Sequence, residues 1–155
     1  MNTQRLSNVS VYGAVANCLD DTLVFQIHKA TNREGWKEFL RELKDRIDRS
    51  YRSFKPYLII DNHPVHHSYA VRDAYEGFHV LFLPPYSSFF NSQESVFSVM
   101  KAELHKHFAR MQGEVLTQSA MVTEVQHVLD KIVEEKRQSD LFMAVRQDLL
   151  ETLRP

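Results

Sequence analysis

The chain reads as an α/β domain built on a mixed sheet, and three observations carry that reading. A hairpin of short β-branched segments comes first, strand–helix–strand passages follow it, and the last third turns to helical periodicity with no further strand. A hairpin supplies an antiparallel pair and strand–helix–strand passages supply crossovers, so a mixed sheet covered by helices is expected.

The elements follow in order. Val9-Ser10-Val11-Tyr12-Gly13-Ala14-Val15-Ala16 sets β-branched residues among small ones and predicts a strand. Asp20-Asp21 predicts a turn, and Leu23-Val24-Phe25-Gln26-Ile27-His28 the return strand. Thr31-x-x-Glu34 has capping-box spacing; Trp36, Phe39, Leu40, Leu43 and Ile47 then recur at helical spacing, giving one buried stripe. After Pro56, the apolar run Tyr57-Leu58-Ile59-Ile60 predicts a strand ending at Asp61. Residues 68–75 predict a short helix stopped by Gly77. Phe78-His79-Val80-Leu81-Phe82-Leu83 predicts another strand, which Pro84-Pro85 ends by removing ladder donors. A helix is expected from about Asn91 until Gly113, with Val96, Phe97, Met100, Leu104 and Phe108 on one side. Two more are expected, over 117–136 with Met121, Val125, Val128, Leu129 and Ile132 inward, and over 139–153.

Bulk properties narrow the class. The 155 residues suit one domain, and 43% hydrophobic with 25% charged residues excludes a disordered or fibrous chain. No apolar run approaches the ~20 residues of a membrane helix, and Met1-Asn2-Thr3-Gln4-Arg5 has no charged-then-apolar leader pattern. Cys18 is the sole cysteine, which excludes an internal disulfide and points to a reducing, intracellular setting. A net charge of −1 and a pI of about 6.7 weigh against a free-standing nucleic-acid module, although charge can be segregated by face. The one boundary the composition offers lies near Met111-Gln112-Gly113, separating a core at 1–110 from a C-terminal helical appendage at 111–155.

Two acids carry the chemistry. Asp61 closes a buried strand, and Glu94 opens a helix after the loop that leaves the next strand. Ligands of open α/β sheets collect beyond the carboxyl ends of strands, so these carboxylates can converge on a divalent cation. Each has a plainer reading. Asn91 and Glu94 fit a helix cap with its third-position acid, and Asp-Asn at a strand end forms side-chain turns. His63-x-x-His66-His67 admits a zinc reading, but the spacing is loose and no Cys or third histidine stands at the usual distance. The alternative is that His66 orients Asp61. Lys101, His105, Lys106, His107 and Arg110 form either a solvated helix face or a contact for DNA phosphates. No third acid completing the set is found.

At these residues the chain resembles the mariner-type DDE transposases, including their bacterial insertion-sequence relatives. The resemblance rests on Leu58-Ile59-Ile60-Asp61-Asn62-His63-Pro64-Val65-His66 and on Leu83-Pro84-Pro85-Tyr86-Ser87 with Asn91, Glu94, Phe97 and Lys101. Thirty-two residues separate the acids, slightly fewer than the family usually has. Departures are Ser88 and Ser92 where the family prefers Pro, Phe90 for Leu, and Gln93 for Ile. The resemblance implies a ribonuclease-H-like mixed sheet flanked by helices, lacking its first strand and that strand's catalytic Asp, with two extra C-terminal helices. It implies metal-dependent cleavage and joining of DNA strands with Mg²⁺ or Mn²⁺ at a two-metal site. Asp61 and Glu94 would be the catalytic and metal-binding acids, Asn62 and His66 would support them, and Lys101, His105 and Lys106 would contact DNA. Partners would be DNA (transposon ends) and a possible homo-oligomer, without a membrane, in the nucleus of a eukaryote or a bacterial cytoplasm. With one acid missing, the chain alone is expected to be inactive or nearly so. The alternative is a non-enzymatic protein-interaction module derived from a transposase.

Overall fold

Alternation along the hairpin decides the architecture. β1 (Ser10–Val15) and β2 (Leu23–His28) pair antiparallel, from Ser10 opposite His28 to Val15 opposite Leu23. Successive side chains of a strand point to opposite faces. Tyr12 and Val24 therefore enter one core, while Val11, Val15, Leu23, Phe25 and Ile27 enter another. The first core is closed by α1 (Arg33–Ser50), whose Trp36, Phe39, Leu40, Leu43 and Ile47 are all buried. The second is closed by α2 (Ser92–Arg110) and α3 (Gln118–Glu134) through Val96, Met100, Val125, Val128, Leu129 and Ile132. The hairpin is thus the middle of three layers. The computed structural model describes residues 9–16, 23–51, 55–85, 87, 91–111 and 117–134.

β3 (Tyr57–Ile60) and β4 (His79–Phe82) form a separate parallel pair. Their Leu58, Ile60 and Val80 join the α1 core, together with Val71, Ala74 and Phe78. One mixed α/β domain results, but its four described strands form two two-stranded sheets sharing α1, rather than one continuous sheet. The far face of β3–β4 is open, with Tyr57, Ile59 and Leu81 all about half-exposed or more.

Two local expectations change. The cap of α1 is Asn32, not Thr31: Asn32 Oδ1 accepts the Gly35 N–H at 2.8 Å, while Thr31 Oγ1 donates to Ser10 Oγ at 2.8 Å. The crossover between β3 and β4 is two 3₁₀ helices, Pro64–His67 and Tyr69–Tyr75, rather than one short α-helix. Gly77 does end it, in the left-handed region at φ +91°. The Asp20-Asp21 turn, Phe89-Phe90, Gly113 and the helix expected over 139–153 lie outside the described residues.

Candidate functional site

Parallel pairing puts two carboxyl ends side by side. Ile60 lies opposite Phe82, and the Leu83 N–H donates to the Ile60 carbonyl at 2.8 Å. Asp61 therefore leaves β3 beside the point where Leu83-Pro84 leaves β4. Asp61 Oδ1 accepts the His63 N–H at 3.0 Å, the side-chain turn an Asp makes at a strand end. The same oxygen lies 3.2 Å from His66 Nε2, and the carboxylate is 47% exposed. Oδ2 makes no hydrogen bond among the described residues.

His66 is itself held in place. Its ring lies 4.2 Å, centroid to centroid, from Trp36 of α1. Its carbonyl accepts from Tyr75 Oη at 2.8 Å, and Tyr75 Oη accepts from Trp36 Nε1 at 3.1 Å. Burial pushes the Tyr75 phenol above its ordinary pKa, so it stays protonated and keeps donating. Burial likewise holds the His66 imidazole below its ordinary value; Asp61 opposes this, and the neighbouring His63 and His67 reinforce it. The ring is therefore neutral at pH 7. The facing carboxylate favours its single proton on Nε2, which leaves Nδ1 a bare acceptor, buried without a partner among the described residues.

Asn62 is placed differently. Its Oδ1 meets His67 Nε2, and the His67 ring stacks on Phe82 with 4.2 Å between centroids. Asn62 thus braces His67 against β4 and makes no hydrogen bond to the Asp61 carboxylate among the described residues. Sequence reasoning took Trp36 as core only and gave Tyr75 no role. A buried indole N–H or phenol needs a partner, and that requirement was the available signal, though it does not say which partner.

At the other acid, Asn91 caps α2. Asn91 Oδ1 accepts the Gln93 N–H at 3.1 Å, and its carbonyl accepts the Glu94 N–H at 2.9 Å. Glu94 lies in the first turn, exposed, and its carboxylate makes no hydrogen bond or ion pair among the described residues. It does not return to the Asn91 N–H as a capping box would. At about 100° per residue, the exposed Lys101 and His105 fall on the same stripe of α2 as Glu94. Lys106 does not. It turns toward α3 with Arg110, and its Nζ sits 2.9 Å from Glu103.

Among the described residues, no three Asp, Glu, His or Cys side chains converge to hold a metal. His63 Nδ1 accepts the Val65 N–H at 3.3 Å, and His67 meets Asn62, so the histidines make no zinc set. Asp61 and Glu94 do offer hard carboxylate oxygens, the donors Mg²⁺ prefers. That ion ordinarily takes one or two protein carboxylates and leaves the rest of its shell to water and substrate phosphate. The donor chemistry fits a divalent cation of this kind.

The DDE superfamily endonuclease family matches residues 1–116, a stretch that contains Asp61, His66 and Glu94. The chain belongs to that family, and so to a class of nuclease and transposase-like domains. No curated protein and no solved structure gives a significant match.

Proposed function

We propose that this chain carries the second and third acids of a ribonuclease-H-like DDE transposase catalytic domain acting on DNA phosphodiesters. The observation that carries this reading is the placement of Asp61 at the shared carboxyl end of β3 and β4, backed by a neutral, bracketed His66. His66 lies against one carboxylate oxygen of Asp61 and leaves the other open. Glu94 has no partner among the described residues competing for its charge. Lys101 and His105, on the Glu94 stripe, would neutralise backbone phosphates of transposon-end DNA beside it. The division into a catalytic part at 1–110 and an appendage at 111–155 belongs to the same proposal.

Asp61 and Glu94 would hold Mg²⁺ or Mn²⁺, which when bound supplies Lewis-acid stabilisation of charge at the phosphodiester. The test is Mn²⁺ titration followed by NMR. Amide signals around Asp61 and around Glu94 should broaden together, and Asp61→Asn should relieve both. Broadening at one acid that ignores the other overturns a shared site.

Two of three carboxylates do not make a competent centre. Loss of one costs on the order of 10³-fold, ~4 kcal/mol of barrier. The isolated chain is therefore expected to leave plasmid DNA intact in Mg²⁺ or Mn²⁺. Nicking that Asp61→Ala abolishes would overturn this part of the reading.

A second reading, a protein-interaction module derived from such a domain, is favoured by the exposed Tyr57, Ile59 and Leu81 on the open face of β3–β4. A strictly monomeric elution at high concentration counts against self-association through that face.

A further inference from the structure

α2 and α3 lie side by side over the hairpin, and their facing turns leave a shallow pocket of about 120 Å³ with mainly polar walls. Lys106, His107 and Arg110 enter it from α2, His127 and Lys131 from α3, and Glu103 is the one carboxylate among its described lining residues. By the helical period, this flank of α2 faces well away from the stripe that carries Glu94. It is not part of the site described above.

The charges here are arranged, not merely concentrated. Glu103 is engaged by Lys106 at 2.9 Å, and Glu124, just outside the pocket, meets His107 Nε2 at 2.7 Å. Arg110 has no ion pair among the described residues, and the His127 ring stands 6.0 Å from that of His107. The described lining thus holds three permanent cations, Lys106, Arg110 and Lys131, beside the one carboxylate of Glu103, in a chain whose net charge is −1. The cations come from both walls, so a bound group would be gripped from two sides. The lining offers N–H donors in a fork, two ammonium groups and two imidazoles, and no Phe, Tyr or Trp stands among its described residues. Donors of this kind match a compact oxyanion with several acceptor oxygens.

We propose that the α2–α3 pocket is a phosphate-binding site. Its occupant is a phosphate group, supplied either by a small phosphorylated molecule or by a DNA backbone. The pocket stands on its own lining, and only the DNA source rests on the transposase reading.

The experiment is an amide and side-chain NMR titration of the full chain with inorganic phosphate, against sodium chloride at matched ionic strength. A second titration uses a short DNA duplex. Phosphate should give saturable shifts at 106–110 and 127–131. Arg110→Gln should weaken binding tenfold or more, and Glu103→Gln, which frees Lys106, should tighten it several-fold. Arg110 is exposed and Glu103 half-buried, and unchanged far-ultraviolet circular dichroism will show that the variants fold. Competition between duplex and phosphate, both lost in Arg110→Gln, supports the site and names DNA as its source. Phosphate binding that duplex does not disturb supports the site and names a small molecule. Absence of saturable shifts at these residues, or indifference to Arg110→Gln, overturns the pocket. Duplex binding confined to Lys101 and His105 would then leave the transposase reading standing without it.

Discussion

Gln93 puts an amide in a buried position where it bonds nothing among the described residues. It is 8% exposed, and neither its Nε2 nor its Oε1 has a hydrogen-bond partner there. A buried unsatisfied polar group costs roughly 1–3 kcal/mol, so Gln93→Leu is expected to stabilise the fold by about 1 kcal/mol, seen as a higher urea midpoint at constant m. A lower midpoint would mean the amide has a partner after all. Residue 13 is glycine, and a Cβ there would stand 2.5 Å from Gln93 Nε2 and 3.1 Å from the Phe25 ring, so the amide end would have to shift. Gly13→Ala should therefore destabilise, and by less in a Gln93→Ala background, a coupling that a double-mutant cycle measures. His66 gives a pH dependence. Its pKa is lowered on folding from 6.5, so the folded state binds fewer protons than the unfolded one between the two values. Stability should be full above about 6.5 and fall as pH drops toward the folded value. Urea midpoints at pH 7.5 and 5.5 check this, and His66→Gln should flatten the difference.

Among the elements, α1 shows how a tertiary contact chooses between two legible signals. Thr31 and Asn32 are both capping residues, and Thr31-x-x-Glu34 fits the better-known box. Tyr12 decides the matter from across the core, because its Oη both donates to the Asn32 carbonyl and accepts the Asn32 N–H, each at 2.9 Å. Asn32→Ala is expected to cost about 1 kcal/mol, and Thr31→Ala clearly less; the reverse order in thermal or urea unfolding would return the cap to Thr31. The crossover teaches a similar lesson. Its chain returns to the start of a short parallel strand within the eighteen residues 61–78, and the steeper 3₁₀ rise covers more length per residue than an α-helix. Gly77 ends it at φ +91°, so Gly77→Ala should cost about 1–2 kcal/mol in the same assays.

At the scale of the whole molecule, segregation of charge matters more than its sum. A chain of net charge −1 places Lys101 and His105 on the same stripe of α2 as Glu94 and gathers Lys106, Arg110 and Lys131 on another flank. Any duplex binding should therefore be strongly salt-dependent. Lys101→Gln should lower the slope of log K against log salt by about one, nearly independent of DNA sequence. An unchanged slope would remove Lys101 from the contact. α1 serves both sheets, so its buried stripe positions Asp61 through Trp36 and His66 while it also closes the hairpin core. A cavity at Phe39, which is 1% exposed, would be felt on both sides.

The four described strands, α1 to α3 and the positions of Asp61 and Glu94 at the ends of elements were legible in the linear chain because each depends on local rules. Alternation marked β1 and β2, the spacing of Trp36 to Ile47 marked α1, and Asp61 and Glu94 stood at the ends of elements. Local rules say nothing of partners at long range. Tertiary structure alone split the strands into two pairs and moved the cap to Asn32. It alone bracketed His66 with Trp36 and Tyr75, and turned Lys106 away from Lys101 toward α3. Each of these outcomes is settled by which surfaces are buried against each other and which buried polar atoms must then find partners. That is a property of packed neighbours, and adjacent letters do not carry it.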